Sequence, residues 1–302
     1  MAFKSPLVVC LCIEDLDCTF CDIVISQVAS GHFFGADQPF HLVLQSSDDV
    51  YKLEELCQEV QDCAFPTITG VSWQTTLNDM ARRPDIILVL LSNHSVPYTT
   101  RRPTGQQLQR LLSLVHYMNM LSNSLSAVRM DAVKVIITGD LALTAASVMS
   151  HRLDTLTARQ LLAIDVHQIQ GNQDNLAAAN SGYSKTTRIC EAVKQWWSGI
   201  KTSALTYLGV KYINHASSAT MNQATGYFFS APVNLVGPMD ILSDTDTPIN
   251  QDHIVQVKAT TDAAFSILQA IDGQCRDHVS EMQLKVRVKG WDSRRGQAKS
   301  FS

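Results

Sequence analysis

The stretch that most constrains the fold runs from 31 to 66, GHFFGADQPFHLVLQSSDDVYKLEELCQEVQDCAFP. It opens with the turn formers Gly31, Gly35, Asp37 and Pro39, residues that tolerate positive φ or fix it near the turn value. The apolar run Phe40-His41-Leu42-Val43-Leu44 has the length and composition of a buried strand. Ser46-Ser47-Asp48-Asp49 then breaks the run with short oxygen-bearing side chains of the kind that cap helices. Beyond it Leu53, Leu56, Cys57, Val60 and Ala64 recur three and four apart, which predicts a helix with one apolar face.

The same alternation extends on both sides. Leu7–Ile13 reads as a first buried strand and Phe20–Val28 as the helix after it. Helix, turn, strand and helix in that order make the first half of a dinucleotide-binding unit. Val71–Leu77 suggests a third short strand, and Asp85–Leu91 a stronger one without polar alternation, as parallel sheets require. Between Gln106 and Leu121, the residues Leu108, Leu111, Leu112, Val115, Met118 and Leu121 keep helical spacing, and Val133–Gly139 is the next strand. Strands and helices alternating from 7 to 140 predict a parallel sheet with right-handed crossovers.

Composition limits the function classes. Of 302 residues, 45% are hydrophobic and 17% charged, a balance that fits one large α/β unit or two modest domains and excludes disorder. A formal net charge of −4 gives no reason to expect nucleic acid, and no apolar run reaches the ~20 residues of a membrane span. The start, MAFKSPLVVCLCI, reads as a strand rather than a secretory signal. Eight cysteines without such a signal suggest reduced, cytosolic thiols. Cys10, Cys12, Cys18 and Cys21 have zinc-like or redox-like spacings. The simpler reading makes Cys10 and Cys12 compact core hydrophobes, so no metal is expected.

FGADQPFHLVLQSSD followed by LEELCQEVQDCAFP resembles the cytosolic branch of the lactate/malate dehydrogenase family. There an FG-x-DQP turn precedes the second strand and an E-x-QDCA-x-P segment closes the next helix. The resemblance implies a Rossmann-like parallel sheet followed by an α+β dehydrogenase C-terminal domain. The expected division is 1–145 for the NAD-binding-type domain, 146–272 for a shortened C-terminal-type domain, and 273–302 for a basic tail. It also implies NAD as cofactor and malate dehydrogenation as activity, which directs attention to the residues that would carry them.

Those residues are mostly replaced. Where the family has the glycines that let the backbone approach a diphosphate, a gap-free count places Asp15, Cys18 and Cys21, with Asp17 adding charge. The acidic residue expected at the end of the second strand is Ser46, with Asp48 and Asp49 as nearby carboxylates. The loop arginines of the family align with His94, Ser95 and Val96, while Arg101 and Arg102 arrive later. VKVI-x-x-GNP is matched by Val133–Gly139, but with Asp140 and Leu141 for Asn and Pro. For the catalytic aspartate and the arginine three residues on, Arg152-Leu153-Asp154 copies an R-L-D tripeptide, yet Thr157 stands where the arginine belongs. Without gaps, Leu161–Ile164 matches the strand entering the site, and Gln168 and Gly171 fall on the two positions. The strand end that should carry the catalytic histidine is best matched by Trp196-Trp197-Ser198-Gly199, which has none. His167 and His215 remain without a visible aspartate–arginine constellation.

Residues 196–226 are short against the family's corresponding part, and the likeness resumes at Gly226–Val233 and at Thr247–Asn250 before a helix over His253–Ala270. Lys285, Arg287, Lys289, Arg294 and Arg295 then form a basic arm suited to an acidic partner. Among relatives the chain is most similar to the divergent branch called malate dehydrogenase 1B, which is associated with ciliated cells. The expectation is a catalytically silent interaction protein, cytoplasmic or axonemal, with no bound cofactor and a possible homodimer through the 53–64 helix. The rival expectation is an active enzyme reducing oxaloacetate with NADH.

Overall fold

Seven apolar residues in a row form β1 (Leu7–Ile13), whose last five are fully buried. A strand can bury every residue only when both faces are covered, and the computed structural model shows why both are. It describes residues 4–77, 83–92, 104–126, 132–153, 156–157, 160–165, 182–199, 206–211, 226–237, 240–243 and 251–273. Val9, Leu11 and Ile13 point into one core layer, whereas Cys10 and Cys12 point into the other. This is the period of two expected of a strand.

The chain continues through α1 (Thr19–Ala29), β2 (Phe40–Gln45), α2 (Val50–Asp62), β3 (Ile68–Gln74) and β4 (Ile86–Leu90). It then forms α3 (Gly105–Ser126), β5 (Lys134–Gly139), α4 (Ala142–Arg152), β6 (Leu161–Asp165) and α5 (Gly182–Ser198). The remaining elements are β7 (Thr206–Lys211), β8 (Phe228–Gly237), β9 (Asp240–Ser243) and α6 (Gln251–Gly273). The strands make a nine-stranded sheet in the order β3-β2-β1-β4-β5-β6-β7-β8-β9. The first six strands pair in parallel, and β7 to β9 add antiparallel pairs. Buried residues of α1, α2 and α5 pack on one face. Those of α3, α4 and α6 pack on the other.

The 31–39 turn does the work its sequence suggests. Gly31 (φ 79°) and Gly35 (φ 100°) take left-handed backbone, and a side chain at Gly31 would come within 2.9 Å of Thr67 Cγ2. Gln38 donates to the Ser5 and Pro39 carbonyls (both 3.0 Å), fixing the turn against the start of β1. Phe34 meets Trp197 of α5 edge to face at 5.3 Å, so the turn also anchors a helix far away in sequence. The division expected at 145–146 falls inside α4, and the sheet runs on beyond it without interruption.

Candidate functional site

In open α/β sheets the ligand crevice lies beyond the carboxyl ends of the strands, where the strand order reverses. Here β2 and β3 lie to one side of β1, and β4, β5 and β6 to the other. The reversal therefore falls between β1 and β4, with Glu14 directly after β1 and Ser92 just after β4.

Glu14 fills that position. Its N–H donates to the Leu90 carbonyl at 3.0 Å, holding the residue against the end of β4. Its carboxylate is gripped through both oxygens by the Arg110 guanidinium, with Arg110 Nη2 2.7 Å from Oε2. Ser92 donates to the same Oε2 from its N–H (2.9 Å) and its hydroxyl (3.1 Å). The Glu14 and Arg110 side chains are only 9% and 15% exposed. A two-pronged, nearly buried pair of this kind is rigid and directional, and it occupies the space between the two strand ends.

The turn from β1 to α1 is equally committed to itself. Asp15 Oδ1 accepts from the Asp17 N–H at 3.0 Å, and the Asp15 carbonyl accepts from the Cys18 N–H at 3.4 Å. These are donors of the kind an anion would use at a helix start. Asp17 pairs with Lys52 of α2 at 2.6 Å on the exposed surface. Asp22 lies in the first turn of α1, and its carboxyl is raised above the usual range by burial and by Glu59, Asp15 and Asp17. The helix start thus carries negative charge where its dipole would attract an anion.

The cysteine positions are chemically quiet. Cys18 is the N-cap of α1 without a capping side-chain bond, and Cys21 is buried. Its thiol is held far above the usual thiol range by its hydrogen bond with Cys18 and by burial. Cys12 is raised likewise by Cys10, whose sulfur lies 3.9 Å away, and by burial. Cys10 and Cys12 face the α3 layer, while Cys18 and Cys21 pack in the opposite layer. The sheet itself prevents the four sulfurs from converging. Among the described residues no group of three metal-binding side chains is present.

At the end of β2, Ser46 is buried and its hydroxyl accepts from the Asp48 N–H at 3.2 Å. Asp49 uses its carboxylate to cap α2 through the Tyr51 N–H (2.9 Å). Asp48 is exposed. Gln45, one position before Ser46, and Ser47 face the crevice. A cavity of about 570 Å³ lies between these strand ends and α3, lined by Glu14, Asp15, Gln45, Thr75, Arg110 and Tyr117 among others.

At β5, Gly139 has φ 113°, and a Cβ there would stand 2.2 Å from the Leu91 carbonyl oxygen. Asp140 is buried behind it, and Leu141 has a left-handed φ of 61° as the N-cap of α4. Of the R-L-D likeness, Arg152 and Leu153 are described. Arg152 ends α4 and bonds Asp272 of α6 at 2.6 Å, and Leu153 is the C-cap of that helix. Asp154 itself lies outside the described residues. The gap-free match of Leu161–Ile164 coincides with β6, which pairs with β5 in parallel. Gln168 and Gly171 lie outside the described residues, as do His167, His215, His94–Val96, Arg101 and Arg102. Trp196–Ser198 belongs to α5, and Gly199 (φ 65°) ends that helix with its N–H on the Gln195 carbonyl. The expected strand-end position for a histidine is therefore corrected: a helix terminus stands there. Lys285, Arg287, Lys289, Arg294 and Arg295 lie outside the described residues. Sequence reasoning missed Glu14, Ser92 and Arg110 as a unit. The one local signal was a carboxylate directly after seven apolar residues.

No protein-family model matches the chain. Among solved structures it is similar to malate dehydrogenase from Naegleria fowleri, with a TM-score of 0.65 at 14% identity over 90% of this chain and 99% of that one. Trichomonas vaginalis lactate dehydrogenase in complex with NADH and oxamate superposes with a TM-score of 0.64 at 16% identity, over 86% and 96% of the two chains. Malate dehydrogenase from Plasmodium falciparum gives 0.60 at 10% identity, over 86% and 99%. No described helix is long and apolar enough to cross a membrane. The chain has the Rossmann-like fold of the malate and lactate dehydrogenases.

Proposed function

We propose that this chain is a malate dehydrogenase-like protein that no longer carries out NAD-dependent hydride transfer and serves as a docking body in a larger protein assembly. The observation that supports this reading most is the Glu14–Arg110–Ser92 cluster in the crevice between β1 and β4. Seating a diphosphate there would require breaking a nearly buried ion pair and bringing more negative charge beside Asp15, Asp17 and Asp22. Hydride transfer to a keto acid also needs a proton donor and a carboxylate clamp, and the gap-free positions for the aspartate and arginine hold Gln168 and Gly171.

The likeness to the malate dehydrogenase 1B branch directs the proposal to a cytoplasmic or axonemal assembly. The basic residues Lys285 to Arg295 would meet an acidic face of that partner, and α2 would be the seam of a homodimer. Exposed apolar residues on α3, Leu108, Leu112 and Met120, are further surface that docking would cover.

The rival reading, an active NAD-dependent malate dehydrogenase, draws on the fold and on the lactate dehydrogenase neighbour whose structure holds NADH and oxamate. Thermal melting with NAD and NADH separates the two, paired with an oxaloacetate-reduction assay. The proposal expects no rise in Tm at millimolar nucleotide and no oxaloacetate-dependent consumption of NADH. A saturable rise, with turnover abolished by Asp154→Asn, would establish the enzyme instead.

A further inference from the structure

The spacing Cys18-Thr-Phe-Cys21 has no part in the proposed function, yet the fold brings its two thiols into contact. Cys18 is the N-cap of α1, and Cys21 is the third residue of that helix. The Cys21 N–H donates to the Cys18 carbonyl at 2.8 Å, and the Asp22 N–H to the same oxygen at 3.3 Å. A turn closed by such a bond holds its end Cα atoms within about 7 Å, a separation that a disulfide can span. Both cysteines are free, and their thiols are hydrogen-bonded to each other.

Access divides the pair. Cys18 is partly exposed, whereas Cys21 is 1% exposed. Cys10 and Cys12 also touch, with sulfurs 3.9 Å apart, but both are fully buried in β1 and closed to any reagent. Cys21 keeps its proton because of its hydrogen bond with Cys18 and its burial. Its quiet toward solvent does not extend to a bond arriving through Cys18. Once Cys18 is in a mixed disulfide it has no proton to contest, and the largest cause of the shift at Cys21 is removed. Asp15, Asp17 and Asp22 set the charge around the pair, with Lys52 bound to Asp17.

We propose that Cys18 and Cys21 form a reversible disulfide by exchange with a small cationic disulfide, which makes the start of α1 a site of oxidative modification. The Cys18 thiolate attacks one sulfur of the reagent RS–SR. A Cys18–SR bond forms, the RS–SR bond breaks, and the departing RS⁻ takes up a proton. Cys21 then gives its proton to solvent and attacks the Cys18 sulfur, expelling the second RS⁻, which is protonated in turn. Two protein thiols are oxidised to one disulfide while the reagent disulfide is reduced to two thiols. The carboxylates around the pair attract a cationic reagent and repel an anionic one. The exchange needs no nucleotide, so it stands or falls apart from the proposed function.

The test treats the reduced full chain with cystamine, which is cationic, or with oxidised glutathione, which is anionic, at low ionic strength. Remaining thiols are trapped by alkylation, and the peptides are weighed by mass spectrometry. Cystamine is expected to yield a Cys18–Cys21 peptide lighter by two hydrogens, while exposed Cys63 keeps half of the reagent as an adduct. Cys10 and Cys12 should be alkylated only after unfolding, which reports that the chain stayed folded. In Cys21→Ser the adduct should accumulate on Cys18, and in Cys18→Ser the Cys21 thiol should stay unmodified. Oxidised glutathione should react about tenfold more slowly than cystamine, and added salt should narrow that gap. Cys18 and Cys21 still reduced when Cys63 is fully converted would overturn the proposal. Oxidised glutathione reacting as fast as cystamine overturns it too, as does an unmodified Cys18 in folded Cys21→Ser. Should a serine variant not fold, the readings on the native chain decide.

Discussion

Arg110 of α3 grips both carboxylate oxygens of Glu14, residues separated by more than ninety positions in the chain, at the point where the strand order of the sheet reverses. With side chains only 9% and 15% exposed, neither charge can turn to bulk water when its partner is removed. Glu14→Ala is expected to cost about 3–5 kcal/mol by leaving the Arg110 charge buried alone. The double replacement Glu14→Leu with Arg110→Met should recover most of that loss, because a buried pair is often no better than well-packed apolar groups. Denaturant melts of the single and double variants check both statements. Breaking the exposed Lys52–Asp17 pair, 44% and 71% exposed, should leave the denaturant midpoint almost unchanged, because solvent screens both charges.

Gly139→Ala tests the backbone beside the same crevice. The new Cβ would lie 2.2 Å from the Leu91 carbonyl oxygen at a φ of 113°. Strain and overpacking together should cost about 3 kcal/mol or more, read as a fall in urea midpoint. A loss within 1 kcal/mol would mean that the β4 and β5 ends do not approach as described.

Much of the parallel half was legible before the structure, because strands buried on both faces appear as unbroken apolar runs. The expected first strand coincides with β1, and β2, β4 and β5 lie within a residue or so of their expected bounds. β3 begins three residues earlier than expected, since at the sheet's edge its burial is only partial and its pattern weak. α4 was overlooked because residues 142–150 are all buried, which erases the contrast between apolar and polar faces that reveals a helix. α5 did carry readable spacing in Ile189, Val193 and Trp196. The paired tryptophans pointed instead to a strand-end likeness. The Glu14–Arg110 pair could not have been read locally, since nothing near either residue reports the other.

Thiol chemistry gives a third test. Cys63 is exposed, whereas Cys12 and Cys21 are held protonated by their neighbouring thiols and burial, and Cys190 is pushed up to about 12 by burial. Alkylation of the native chain near pH 8, followed by peptide mass spectrometry, should label Cys63 long before these three. Labelling of Cys21 at the rate of Cys63 would contradict the quiet-thiol description.

Alkaline stability gives a fourth. Tyr227 hydrogen-bonds the Asp262 carboxylate, and burial, with that carboxylate's charge and acceptance, raises its phenol to about 12. Between pH 10 and 12 the unfolded chain releases this proton while the folded chain keeps it, so stability falls as pH rises through that window. Tyr227→Phe should lose about 1 kcal/mol at neutral pH and flatten part of the alkaline decline. Tyr117 and the thiols of Cys12, Cys21 and Cys190, also raised, contribute to the remainder. An unchanged alkaline slope in Tyr227→Phe would contradict the assignment.

Crystals soaked in millimolar NADH test the central claim most directly. The account predicts that Glu14, Arg110 and Ser92 remain bonded as they are, with no diphosphate density against the turn at Asp15–Cys18. A coenzyme seated there, with Arg110 swung away from Glu14, would contradict it.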